Sequence, residues 1–95
     1  MTIQIIARHM AGGQDHQHIA EVQWRNTAAK EAGKSSRATM VAWLDNKTAN
    51  HSAIVVDAKG ETSQVGTVHP TNSAAYIRSY RDKVWNDNLL ALPTY

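Results

Sequence analysis

Residues 15–25, D-H-Q-H-I-A-E-V-Q-W-R, decide the fold because they alternate cleanly between apolar and polar side chains. Ala20, Val22 and Trp24 point one way, and the charged and amide residues between them point the other way. A period of two is the mark of a β-strand with one face on a core. The stretch therefore predicts a strand over 16–25. His16 and His18, at its head, have the parity of the buried face.

The preceding residues predict the partner of this strand. Residues 2–10 alternate with Ile3, Ile5 and Ala7 on one face, and Ile6 is the imperfect member. The stretch A-G-G-Q-D, 11–15, is typical of a turn, since adjacent glycines permit positive φ and aspartate bonds to nearby backbone amides. We expect the first two strands to form a hairpin.

The middle of the chain predicts a loop followed by one helix. N-T-A-A-K-E-A-G-K, 26–34, is polar and rich in small residues and predicts a loop. Ser35 or Ser36 can cap a helix over 37–46, because a serine hydroxyl accepts a bond from a free amide of the first turn. Arg37, Met40, Val41 and Leu44 follow the spacing of one helix face. This short helix should lie on the sheet.

The second half predicts three more strands and an apolar tail. S-A-I-V-V-D, 52–57, a turn ending in Gly60 and E-T-S-Q-V-G-T-V-H, 61–69, form a second hairpin. A-A-Y-I-R-S-Y-R-D-K-V-W, 74–85, is a fifth strand, and residues 86–95 must dock on the core. The prediction is one α+β domain over 1–95. Its antiparallel sheet of about five strands, in the order β-β-α-β-β-β, carries one helix on a face.

Composition narrows the class of protein. The chain has 42% apolar and 19% charged residues, a formal net charge of +2 and no cysteine. Disulfides, thiolate zinc sites and cysteine nucleophiles are therefore excluded. The apolar runs are far shorter than the roughly 20 residues of a membrane span, and the first residues have no secretory pattern. We expect a cytoplasmic protein that is not in a membrane.

Four motifs in register carry a family resemblance. They are H-x-H-I followed by Trp24, S-S-R-A-T-M-V-A-W-L at 35–44, Y-I-R-S-Y at 76–80 and D-N-L-L-A-L-P at 87–93. Together they resemble a small bacterial domain family of unknown function, whose members are short proteins of bacteria and their phages. The resemblance implies one compact domain and carries over no catalytic residue.

The fifth predicted strand holds the main candidate site. Tyr76, Arg78 and Tyr80 would form an aromatic, cationic, aromatic row on one face. Such a row suits a protein-binding hot spot, or it stacks bases and holds phosphate. It also suits plain core packing, with the hydroxyls at the edge and Arg78 paired with Asp82 or Asp87. The partner-binding candidates are Tyr76, Arg78, Tyr80, Arg81, Trp85 and Arg25.

The histidine pair is more typical of residues at the margin of the core than of metal ligands. Two residues apart on a strand, His16 and His18 would face one ion, and His9 on the neighbouring strand could be a third ligand. No complete metal-ligand signature is present, so the sequence predicts neither a bound metal nor a cofactor. No nucleophile elbow or phosphate loop is present either. The chain is therefore predicted not to be an enzyme.

These observations predict a small binding or regulatory module with no enzymatic activity. It would act like an inhibitor by occupying a surface of a host protein or nucleoprotein, and the resemblance implies a phage or mobile-element origin. Nucleic-acid binding through the tyrosine and arginine face is the first alternative. A metal-dependent role for the H-x-H pair is the second. An unpaired sheet edge would favour homodimerisation or strand addition to a partner.

Overall fold

The computed structural model describes residues 1–26, 28–46 and 48–95 and contains one sheet and one α-helix. The strands are β1 (Thr2–Met10), β2 (Ile19–Asn26), β3 (Glu31–Ser36), β4 (Ser52–Val56), β5 (Thr62–Val68), β6 (Tyr76–Arg81) and β7 (Val84–Asn86). The helix α1 spans Arg37–Asp45, and two short 3₁₀ helices span His16–His18 and Asn88–Ala91. The mixed α+β class agrees with the sequence prediction.

The sheet has seven strands in the order β3-β2-β1-β4-β5-β6-β7, so the prediction of five antiparallel strands was wrong. β1, β2 and β3 form one antiparallel meander, and β4 to β7 form another. The two meanders join where β1 pairs in parallel with β4. The link from β3 through α1 to β4 is long enough for such a crossover, which a tight hairpin is not.

Strand β3 begins inside the predicted loop at 26–34 and includes its last four residues, 31–34. Its residues have low intrinsic strand propensity, so the local pattern carried no strand signal. Its register on β2 places Gly33 opposite Trp24. A Cβ at Gly33 would lie 2.8 Å from Cζ2 of Trp24, so glycine makes room for the indole ring. Packing against the neighbouring strand thus decides this element.

The predicted fifth strand is a hairpin rather than one strand. β6 and β7 are joined by Asp82 and Lys83, which both have positive φ, 53° and 67°. Two successive left-handed residues make the tight turn whose twist matches antiparallel strands. The sequence prediction missed this turn because neither residue is glycine. The turn brings Trp85 directly opposite Tyr80.

The helix lies where the sequence placed it. Ser36 is its N-cap, and its hydroxyl accepts a bond from the amide of Thr39 at 3.2 Å. Met40 is 2% exposed, and α1 packs against β2, β3, β5 and β6. One side of the helix therefore covers both halves of the sheet. Among the described residues, no helix has the length and apolarity to cross a membrane.

The core lies between α1 and one face of the sheet. Buried residues alternate with exposed or half-buried ones along β4, the first part of β5 and β6, which separates an inner face from an outer face. The apolar cluster at the centre consists of Ile3, Ile5, Ile19, Val22, Met40, Ala53, Val55, Val65, Ile77 and Leu89.

A buried polar network docks the tail on this core. The Ser79 hydroxyl, which is fully buried, donates to Oδ1 of Asn86 at 2.6 Å and accepts from the amide of Leu89 at 3.0 Å. The side-chain amides of Asn86 and Asn88 both donate to the Ser63 hydroxyl. The network fixes the second 3₁₀ helix so that Leu89 enters the core. The D-N-L-L-A-L-P motif therefore has a structural role.

Candidate protein-binding face

One row of side chains crosses the whole outer face of the sheet. The pairing registers connect Trp85 to Tyr80, Tyr80 to Gln64, Gln64 to Ile54, Ile54 to Gln4, Gln4 to Arg25 and Arg25 to Ala32. Paired residues project from the same face of a sheet. None of these seven residues is buried, whereas their neighbours on the inner face largely are. From Trp85 to Arg25 the row runs roughly 24 Å along the sheet, at about 4.8 Å per strand.

An aromatic pair forms the β7 end of this row. The rings of Tyr80 and Trp85 meet edge to face, with centroids 5.5 Å apart and planes at 76°. Gly66 lies beneath them, because a Cβ there would be 3.0 Å from Cε1 of Tyr80 and 3.4 Å from Cη2 of Trp85. Trp85 is still 44% exposed. The indole is thus both accessible and held in place.

The arginines of the predicted site have partners within the chain. Arg78 bonds to the carboxylate of Asp87 at 3.2 Å, as one of the predicted alternatives proposed. Arg81 bonds to Glu61 at 2.8 Å and pairs with Val84, so it alternates away from the row. Two of the cations predicted for this strand are therefore already neutralised by carboxylates.

Arg25 and Tyr76 occupy different places on the face. The Arg25 guanidinium donates to the amide oxygen of Gln4 at 3.1 and 3.2 Å, and because that partner is neutral the positive charge is retained. Tyr76 pairs with Val68 near the start of β6, two residues from Arg78 along the strand. The structure thus unites Tyr80, Trp85 and Arg25 in one row, with Tyr76 and Arg78 beside it.

A further aromatic side chain, Tyr95, lies on the outer face of β1, β2 and β3. The Tyr95 hydroxyl donates to Oε1 of Glu21 at 2.8 Å, and Nζ of Lys34 lies 5.0 Å from the centre of its ring. Burial, followed by the hydrogen bond to Glu21, raises the pKa of Tyr95 to about 12. The face therefore carries aromatic groups near both ends.

Several residues of this face were missed from the sequence. Gln4, Ile54 and Gln64 stand in the row between the two ends, yet each belongs to a different strand. Alternation in the sequence placed only Gln4 on the face away from Ile3 and Ile5, and no local pattern gave the cross-strand registers. Tyr95 also had no signal, because its contacts lie far away along the chain.

The predicted geometry of the histidine pair was wrong. His16 and His18 lie in a 3₁₀ helix rather than on a strand, and residues two apart in such a helix point about 120° away from each other. The His16 ring approaches Asp87, with Nε2 3.9 Å from Oδ1, while the His18 ring packs over Gly13. His9 bonds to the carbonyl oxygen of Tyr95. In the described part of the chain, no three histidine, aspartate or glutamate side chains are grouped as metal ligands.

Three of the sequence motifs meet at His16. Its side chain is 9% exposed and lies beside the ion pair that Arg78 makes with Asp87. Burial, followed by repulsion from Arg78, lowers the pKa of His16 below its ordinary 6.5. The H-x-H, Y-I-R-S-Y and D-N-L-L-A-L-P motifs therefore form one contact that ties the first hairpin to the tail.

The fold and its open face define a small α+β domain whose sheet exposes an aromatic and polar surface. Residues 4–93 match the family described as "Protein of unknown function (DUF3892)", and the chain belongs to this family. The resemblance carried by the four motifs, to a small domain family of unknown function, is thereby confirmed. No match was found among curated proteins or among solved structures.

Proposed function

We propose that this chain is a small binding module without enzymatic activity, which acts like an inhibitor by covering a surface of a host protein. The observation that carries the proposal is Trp85, whose indole is 44% exposed and yet fixed by Tyr80 above Gly66. A rigid exposed tryptophan loses little conformational entropy on binding, and tryptophan, tyrosine and arginine dominate binding hot spots.

The chemistry of the face indicates the kind of partner. Trp85, Tyr80 and Ile54 offer apolar area, while Arg25 at the far end of the row keeps its charge beside a neutral glutamine. A row of roughly 24 Å suits a standard interface of about 800 Å² per partner. The expected partner is therefore a protein with an apolar spot flanked by carboxylates.

Nucleic acid fits this face less well. A phosphate-binding surface needs cations free to replace counterions. Arg78 and Arg81 are instead held by Asp87 and Glu61. The aromatic pair suits either a protein or a nucleic acid and does not distinguish between them. The ion pairs of the two arginines do distinguish them, and they favour a protein partner.

The test is a tagged pull-down from bacterial lysate with three matched baits, each run with and without nuclease. The wild-type chain and Val84→Ala should capture the same host protein after nuclease treatment. Trp85→Ala should weaken its capture by roughly thirtyfold, the equivalent of about 2 kcal/mol for a hot-spot residue. Val84 is the control because it neighbours Trp85, is 66% exposed and pairs with Arg81 outside the row.

Two results would contradict the proposal. The first is equal capture of the host protein by wild-type and Trp85→Ala baits that circular dichroism shows to be folded. This result would show that the outer face is not the binding surface. Capture by the wild-type bait that disappears after nuclease treatment would identify nucleic acid as the partner instead.

A further inference from the structure

A cavity of about 170 Å³ lies between α1 and the inner face of the first meander. Its walls are the indoles of Trp24 and Trp43 and the side chains of Ile3 and Met40. Met1, which is 50% exposed, stands among the residues that line it. The space is therefore bounded mainly by apolar and aromatic groups.

Both indole walls are held in place by contacts with neighbouring residues. Trp43 stacks on His51, with ring centroids 4.1 Å apart and planes within 11°. Trp24 packs over Gly33, and its Nε1 donates to the Ser35 hydroxyl at 3.0 Å. Because these contacts already hold the rings, the cavity is preformed before a molecule binds.

Two hydroxyl groups give the cavity a polar side. Ser35 accepts the bond from Trp24, and Thr39 accepts a bond from the Ser36 hydroxyl at 2.9 Å. Each hydroxyl has one proton of its own to donate. In both of these bonds the hydroxyl is the acceptor, so its own proton is directed elsewhere. A molecule with one acceptor oxygen would satisfy such a donor.

We propose that this cavity binds a small aromatic molecule of about one ring that carries a single acceptor oxygen. An apolar cavity of about 150 Å³ is known to stay dry and to bind benzene, which sets the size of the occupant. The indole walls favour a flat aromatic ring by offset or edge-to-face contact. The hydroxyls of Ser35 and Thr39 can donate a hydrogen bond, so they favour a ligand that carries an acceptor oxygen.

The experiment compares acetophenone with ethylbenzene, which has nearly the same shape and lacks the oxygen. Titrations of the isotope-labelled full chain are followed by NMR at the indole N–H groups of Trp24 and Trp43 and at the Met40 methyl group. Both compounds should shift these signals in a saturable way. Acetophenone should bind roughly two- to tenfold more tightly, as expected for one added hydrogen bond.

Two variants test the position of the site. Thr39→Leu fills the cavity and should weaken acetophenone binding at least about tenfold. Ala42→Leu introduces the same side chain at an exposed position of α1 and should leave binding unchanged. If Thr39→Leu does not fold, Ser35→Ala replaces it, and this variant should reduce the difference between the two compounds. Indole signals that do not shift, or an unchanged Kd in Thr39→Leu, would overturn the proposal.

Discussion

At the residue scale, His16 shows how a polar side chain is accommodated at the margin of a small core. Its ring is buried at the junction of the first hairpin and the tail, near Arg78 and Asp87. Within the described chain, Nε2 has no hydrogen-bond partner. A buried polar atom without a partner is costly, and the cost rises when the group is charged. The folded protein therefore favours the neutral imidazole.

This burial predicts that the protein is less stable in mild acid. The unfolded chain binds a proton at His16 near pH 6.5, whereas the lowered pKa keeps the folded state neutral to lower pH. The contribution of His16 is complete above about pH 6.5 and is lost as the pH falls toward the folded pKa. Urea unfolding between about pH 7.5 and pH 5.5 should show this decline, and His16→Gln should reduce the slope. An NMR titration that places the His16 midpoint at or above 6.5 would contradict the prediction.

At the element scale, the β6–β7 hairpin controls how Trp85 is presented. Its turn uses Asp82 and Lys83, both in the left-handed region, where a side chain costs about 1–2 kcal/mol per residue and asparagine or aspartate is tolerated best. Lys83 is thus the strained position of the turn. The packing of Tyr80 against Trp85 over Gly66 offsets this strain.

Replacing the strained residue should stabilise the hairpin. Lys83→Gly removes the Cβ penalty and creates the Asp-Gly sequence favoured in tight hairpin turns, so we expect a gain of about 1 kcal/mol in the free energy of unfolding. The control is Lys59→Gly, in the β4–β5 turn, where the backbone φ is not positive and glycine should bring no gain. Urea midpoints measure both variants. Equal destabilisation by the two changes would show that Lys83 is not strained.

At the scale of the whole molecule, the tail completes the core. Leu89 is fully buried in the central cluster, and the second 3₁₀ helix contacts β1, β4 and β6. Beyond it, the backbone joins β1 again, since the amide of Arg8 donates to the carbonyl of Pro93 at 2.9 Å. Residues from the end of the chain therefore hold the two meanders together.

Truncating Leu89 should weaken the whole domain in a single cooperative transition. Leu89→Ala is expected to cost about 2–5 kcal/mol, because it removes buried methyl groups and leaves a cavity. The same change at Leu90, which is only half-buried, should cost clearly less. Guanidinium unfolding followed by tryptophan fluorescence measures both. A loss under about 1 kcal/mol for Leu89→Ala would show that the tail is not part of the cooperative unit.

The sequence by itself determined the elements whose signal is local. A period of two marked the two faces of β1 and β2, a β-branched run and a turn ending in glycine located β4 and β5, and serine capping with apolar spacing located α1. The four motifs identified the family. Such features depend on neighbours a few residues apart, which is the range over which strand and helix periods act. For the candidate site, this reasoning found Tyr80, Trp85 and Arg25 but not the surface that unites them.

Only the tertiary structure decided the rest. β3 forms despite its weak strand propensity because it pairs with the open edge of β2 and because Trp24 packs over Gly33. The parallel pairing of β1 with β4 brings together strands about fifty residues apart and sets the register that aligns Arg25 with Trp85. The 3₁₀ turn at His16 separates the two histidines in direction. These outcomes depend on pairing and burial between distant segments, which no local period of the sequence records.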